Sequence, residues 1–211
     1  MNKSPLRTLI TIAVIIAVGI IALVVWVEIA SYHKLTIKDG GIAASYYQVV
    51  NGANGTAQSI KSDQTYSVKN GQYCAAPTDT NYNDDPICVT VKNGDATLTV
   101  DPAYSTDHLS ILLTSDLVSQ LTAIIGAKYQ PIIGGYMVDS GQLFDKGEWY
   151  ATTLTAVVAP QDRGDVYRTI LKKDGDTWSV VVPPQIMVSK FDYPKIPLSI
   201  LTGANQLPGN S

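Results

Sequence analysis

Residues 166–180, VYRTILKKDGDTWSV, carry β-branched and aromatic residues on both sides of Asp174-Gly175, and TWSV after the turn alternates polar with apolar side chains. Alternation with a period of two marks a strand with one buried face, and Asp-Gly supplies the positive φ that a tight turn demands. The stretch predicts a hairpin of strands Asp165 to Lys173 and Thr177 to Val182. Working backwards, Glu148 to Val158 predicts a third strand, which makes a three-stranded antiparallel meander. Pro183-Pro184 break the sheet, and Pro197 opens a short terminal helix, PLSILTGA, with Gly203 near its end. Upstream, Thr114 or Ser115 caps a helix from Asp116 to about Tyr129, in which Leu117, Leu121, Ile124 and Ile125 form one apolar stripe. Asp116 in its first turn and Lys128 in its last complement the helix dipole, and Pro131 stops it. The apolar stretch Ile132 to Val138 predicts a strand whose Gly134-Gly135 pair suits a bulge or a close backbone approach. Residues 103–205 thus read as one α+β domain, and 206–211 as a flexible tail.

From Leu35 to Pro102 short apolar stretches alternate with turn signals: SYYQVV, NGANG, TYSV, KNGQY, ICVTV, KNGD, ATLTV. Residues 34–102 therefore predict a small antiparallel β domain, with hairpins at Asn70-Gly71 and Asn93-Gly94. This pattern resembles PEGA-type surface modules, in which a compact β domain ends in a glycine-tyrosine strand much like Gly71-Gln72-Tyr73. The helix followed by a meander of the VYRTILKKDGDTWSV kind resembles NTF2-like domains. That resemblance implies a cone with a pocket lined by the meander, for which Trp149, Tyr167 and Trp178 are the ligand-binding candidates by size and position.

Still further upstream, Leu9 to Val27, LITIAVIIAVGIIALVVWV, carries no charge. As a helix rising about 1.5 Å per residue it has the length of a bilayer core, so it predicts a retained transmembrane anchor over 9–27. Cleavage is disfavoured because Glu28 stands two positions before Ala30, where a signal-peptide site wants a small residue. Lys3 and Arg7 are the only charged side chains before the run, which places residues 1–8 in the cytoplasm and the remainder outside. Trp26 and Tyr32 suit the interfacial aromatic belt. The expected location is the cell membrane, single-pass, with the bilayer as one partner. With such an anchor the chain resembles uncharacterised single-pass surface proteins of bacteria.

All 18 acidic residues follow the run with 13 of the 15 basic ones, leaving that part a formal charge of −5 and disfavouring nucleic-acid binding. Its Thr, Ser, Gly, Asn and Val content fits a strand-rich domain with polar loops able to bind sugars or proteins. The two cysteines, Cys74 and Cys88, both fall on the external side, where oxidation favours a disulfide stapling the polar loop AAPTDTNYNDDPI.

Catalytic signals are sparse. His33 reads as an interfacial residue and His108 as a helix-start histidine, with no GxSxG frame. Asp84-Asp85 and the pair Asp174 and Asp176 are the closest carboxylate groupings for glycoside hydrolysis; loop and turn chemistry already account for them. The oxygen-rich loop around Asp79, Asn81, Asn83 and Asp84 lacks the glycine and terminal glutamate of an EF-hand. Arg163-Gly164-Asp165 spells an adhesive tripeptide in a loop that wants Gly and Asp in any case. Asn54-Gly55-Thr56 is a glycosylation sequon and marks a loop.

The expected architecture is one N-terminal transmembrane helix plus an α+β, strand-rich ectodomain: a small antiparallel β domain, then a helix and an antiparallel meander. The expected role is a non-enzymatic, extracytoplasmic binding or assembly module without cofactor or metal, contacting an envelope polymer or partner protein. Two alternatives are a self-associating scaffold subunit of a secretion or conjugation machine, implied by an NTF2-like domain behind one span, and an envelope hydrolase using acidic residues. A small-molecule carrier is a third.

Overall fold

The computed structural model describes residues 14–24, 26, 31–60, 63–130, 135–157 and 165–209. The chain divides into two compact units, one of residues 1–79 with 84–102 and one of residues 80–83 with 103–211.

In the first unit, strand β1 (Tyr32–Lys38) places Leu35 and Ile37 inward with no solvent exposure, as its alternation dictates. β2 (Ala44–Val50) turns through Asn51 and Gly52, both at positive φ, into the two-residue strand β3 (Ala53–Asn54). Val50 pairs with Ala53 across this turn, so Asn51-Gly52 makes a two-residue hairpin. The unit continues with β4 (Gln58–Ser59), β5 (Gln64–Lys69), β6 (Gly71–Pro77), β7 (Ile87–Val91) and β8 (Ala96–Thr99). One sheet has the order β5-β1-β8, the other β3-β2-β6-β7, with β4 also on β2. Leu35, Ile37, Val68 and Leu98 of the first sheet share one core with Tyr46, Tyr73 and Val91 of the second, which makes a β-sandwich.

Two expectations for this unit are corrected. The sheet is not purely antiparallel, since β1 pairs in parallel with β8, Leu35 opposite Ala96. Neither Asn70-Gly71 nor Asn93-Gly94 closes a hairpin, because β5 and β6, and likewise β7 and β8, lie on different sheets. Both pairs are corners where the chain crosses the sandwich. Val68 and Tyr73 flank the first corner and both bury in the shared core, which side-by-side strands would not require. The two corners also bond each other: Asn93 donates its backbone N–H to Asn70 Oδ1 at 2.9 Å, and Asn70 Nδ2 donates to Asn93 Oδ1 at 3.1 Å.

The transmembrane expectation is corrected as well. Among the described residues no single helix is long and apolar enough to cross a membrane. Helix α1 covers Val14–Val24, roughly 16 Å at the α-helical rise against about 30 Å of hydrocarbon. Residues 9–13, 25 and 27 of the expected span, and Lys3, Arg7, Glu28 and Ala30, lie outside the described residues.

In the second unit, α2 (Thr106–Leu112) is capped by Ser105 Oγ, which accepts from His108 N, and α3 (Ser115–Lys128) by Thr114 Oγ1, which accepts from Leu117 N. The two helices meet at 77°. Strands β9 (Tyr136–Val138), β10 (Gln142–Phe144), β11 (Trp149–Ala156), β12 (Val166–Asp174) and β13 (Thr177–Gln185) form an antiparallel sheet in which β9 and β10 both flank β11. β12 and β13 are joined through Gly175 at positive φ. Residues 131–134, including Pro131 and the first part of the expected 132–138 strand, lie outside the described residues.

Helix α4 (Leu198–Gln206) runs past Gly203, where the sequence suggests an end. A Cβ at that position would run into the Phe144 ring, so the glycine there serves close packing of helix on sheet. Leu121, Ile125, Tyr150 and Leu171 fill the core on one face of the sheet. Trp149, Ile170, Val182, Ile200 and Leu201 fill the other.

Candidate functional site

Tyr46 lies on β2, Tyr66 on β5 and Tyr73 on β6, and each points inward by strand alternation near the open side of the sandwich. With Tyr32 of β1 and Tyr47 of β2 they line a cleft of about 490 Å³, completed by Gln48, Gln58, Thr56, Ser67 and Lys69. That volume falls in the range of small-molecule sites, about 300–1,000 Å³.

Internal bonds fix much of this lining. Tyr46 Oη donates to Gln58 Oε1 at 2.9 Å, Tyr66 Oη to Gln64 Oε1 at 3.2 Å, and Tyr73 Oη to the Lys69 carbonyl at 2.9 Å. The Tyr46 and Tyr66 rings stand 4.5 Å apart, tilted by 45°. The Lys69 ammonium sits 5.3 Å from the Tyr32 ring centre, within cation–π range. Gly55 donates its N–H to the Gln48 carbonyl at 2.8 Å, an approach a Cβ would obstruct. Gly71 lies under the Gln48 amide, and a Cβ there would meet the amide nitrogen, so the side chain would have to move. Gly55 thus fixes the backbone at Gln48, and Gly71 leaves space for its side-chain amide.

Burial raises the pKa of Tyr46 and of Tyr73, the neighbouring tyrosines adding to the effect at Tyr46. Phenols whose folded pKa exceeds the unfolded value of about 10 stabilise the fold fully below that pH, and the contribution is lost as pH rises through the folded value. Urea midpoints are accordingly expected to fall above about pH 10, and Tyr46→Phe, which cannot ionise, to flatten the fall. An unchanged slope in Tyr46→Phe refutes the assignment.

The three aromatic candidates in the second unit do not converge. Trp149 belongs to the core on one face of the sheet, while Trp178 is buried and Tyr167 half-buried on the other. Tyr167 packs edge-on against Tyr136 at 5.2 Å. Trp149 carries the Lys172 ammonium 5.3 Å from its ring and borders a cavity of about 450 Å³ with Val181, Tyr193 and Ile196.

His33 is half-buried on β1 opposite Val68, and His108 packs edge-on against Tyr104 at 4.6 Å. Asp84, Asp85, Asp174 and Asp176 are exposed in loop and turn. Asn54 stands on β3 opposite Val49, and Arg163-Gly164 lie outside the described residues. No group of three metal-ligating side chains occurs among the described residues. Cys74 and Cys88 form a disulfide across directly paired positions of β6 and β7.

Two buried carboxylates, Asp39 and Asp139, escaped the sequence reading. Asp139 Oδ2 accepts from Thr153 Oγ1 at 2.7 Å and from Thr155 Oγ1 at 2.6 Å, and the Asp139 carbonyl accepts from Thr152 Oγ1 at 2.6 Å. This clamp fixes β11 beside β9 and is structural. Asp139→Ala removes the acceptor of half-buried Thr155 Oγ1 and leaves buried Thr153 Oγ1 only the Pro208 carbonyl at 3.1 Å, and is expected to cost about 1–3 kcal/mol in urea unfolding; no loss means that the clamp contributes nothing.

No family model and no curated protein matches the chain. Among solved structures it shows likeness to a DUF3823 family protein from Parabacteroides merdae, at 13% identity over 79% of this chain and 86% of that chain, TM-score 0.24. A second such protein, from Bacteroides ovatus, is 10% identical over 72% of this chain and 96% of that chain, TM-score 0.23. At such overlap the likeness identifies neither a family nor a function.

Proposed function

We propose that the chain is a non-enzymatic binding module whose ligand seats in the tyrosine-lined cleft of the first unit. The observation carrying this reading is that five strands, β1, β2, β4, β5 and β6, bring tyrosines and glutamines to the lining of one concavity. Concave sites with aromatic walls and a few fixed polar groups are the usual form of ligand pockets, and tyrosine offers large contact area at low entropic cost. No Asp, Glu or His stands among the described residues lining the cleft. Those residues thus supply neither the carboxylate pair of a glycosidase nor the base that activates a nucleophile.

The test is a screen of the full chain, in a detergent without a sugar headgroup, against peptide and oligosaccharide arrays. Ligands are expected whose signal falls at least about tenfold in Tyr32→Ala/Tyr66→Ala and holds in Phe191→Ala, a change at a side chain 93% exposed in the other unit. Circular dichroism checks that the cleft variant stays folded. Ligands indifferent to the cleft variant, or no ligand at all, refute the assignment.

A further inference from the structure

We infer that the occupant of the cleft is a neutral oligosaccharide, an inference resting on the binding-module reading above. A pyranose offers flat C–H faces and a rim of hydroxyls that both donate and accept. The lining matches both parts. Tyr32 is exposed and Tyr66 half-buried, and both offer ring surface, whereas Tyr46 and Tyr73 are buried and form the floor. Gln48, Gln58 and Thr56 add amide- and hydroxyl-bearing residues to the lining.

Gln58 is set for this task by its own bond. Its Oε1 accepts from Tyr46 Oη, which leaves the Nε2 donors in a fixed orientation. A donor already ordered costs less to engage than one that must be immobilised on binding.

Charge excludes the competing small-ligand classes. Among the described residues Lys69 is the single cation in the lining, and its ammonium lies by the Tyr32 ring, so these residues present no cluster of cations for a phosphate, sulfate or carboxylate. Lacking an acidic side chain among the described residues, the lining also has no counter-charge for an amine or a metal ion. An extended peptide is the remaining competitor, because Ser67, Val68 and Lys69 belong to the edge strand β5. The side-chain amides and exposed rings favour the saccharide, since a strand added to β5 would draw its affinity from main-chain bonds.

Saturation-transfer NMR on the full chain in the same detergent tests this, with neutral hexasaccharides of glucose and mannose in several linkages, sulfated and sialylated counterparts, and extended peptides. At least one neutral oligosaccharide is expected to bind, with transfer strongest to its ring C–H protons. Its affinity should change less than about twofold between about 50 mM and about 500 mM salt, because no charge pair is screened. Tyr66→Ala and Gln58→Ala should each weaken it at least about tenfold, and Tyr66→Phe, which keeps the ring, less than about threefold. Binding confined to charged saccharides overturns the inference. Binding confined to peptides and lost in Tyr66→Ala overturns the saccharide while leaving the binding module standing. Silence from every probe overturns both.

Discussion

Tyr150→Ala is expected to lower the unfolding free energy of the second unit by about 3–5 kcal/mol, the usual cost of truncating a fully buried aromatic. Tyr150 has no solvent exposure and sits mid-sheet on β11, opposite Leu143 of β10 and Leu171 of β12, both equally enclosed. Its ring fills the core beneath α2 and α3, and its hydroxyl accepts the Gly141 N–H at 3.1 Å. Burial raises the phenol's pKa, which favours the neutral, packed form. Two further variants separate ring from hydroxyl. Tyr150→Phe keeps the ring and strands one N–H, for about 1–3 kcal/mol. Gly141→Ala presses a methyl against the Ala151 carbonyl and the Tyr150 ring, an overpacking worth about 1–3 kcal/mol or more. In the Tyr150→Ala background the ring half of that collision is gone, so the cost of Gly141→Ala should shrink, while strict additivity would show that the collision is relieved elsewhere. Urea unfolding followed by Trp149 and Trp178 fluorescence reads this unit, and a loss below about 1 kcal/mol for Tyr150→Ala refutes the packing argument.

Where structure follows from neighbours along the chain, the sequence is a sufficient guide. Asp174-Gly175 joins strands that pair with each other, and Ser105 and Thr114 cap helices within three residues of themselves. The failures are non-local. Asn70-Gly71 and Asn93-Gly94 announce tight turns, yet a turn signal says nothing about whether its flanks pair or part. What decides is that Val68 and Tyr73 must share a core from opposite sheets, and that β1 finds β8 in parallel some sixty residues away. The cleft was hidden for the same reason. Tyr32, Tyr46, Tyr66 and Tyr73 each look like an ordinary strand residue, and only the sheet order brings them to one wall. The legible trace was a bias in aromatic usage: 12 tyrosines against 3 tryptophans and 2 phenylalanines, with five of the tyrosines between positions 32 and 73. Trp149 and Trp178 misled because size and strand position do not reveal which face of a sheet a residue takes, and the register shift between Ile170 and Leu171 alters the alternation of β13 between Val180 and Val182.

Cys74→Ala/Cys88→Ala is expected to destabilise the first unit by about 3 kcal/mol, the loop-closure entropy of a bridge spanning a loop of about 15 residues. The two cysteines are 14 positions apart and face each other on adjacent strands with Cα atoms 4.0 Å apart. The bridge therefore acts chiefly on the unfolded chain, by holding the ends of the 78–86 connection together, with little new contact in the fold. For a unit of this size such a loss moves the thermal midpoint down by about 10–20 °C. Strand alternation places Tyr73 and Ala75 in the sandwich core and Cys74 on the opposite face of β6, away from the tyrosine cleft. Ligand affinity at the cleft should therefore survive the substitution below the new midpoint. A variant with an unshifted midpoint would show that the unfolded chain already holds this loop closed. A variant that keeps its midpoint but loses cleft binding would show that the disulfide shapes the ligand site across the sheet, against the alternation of β6.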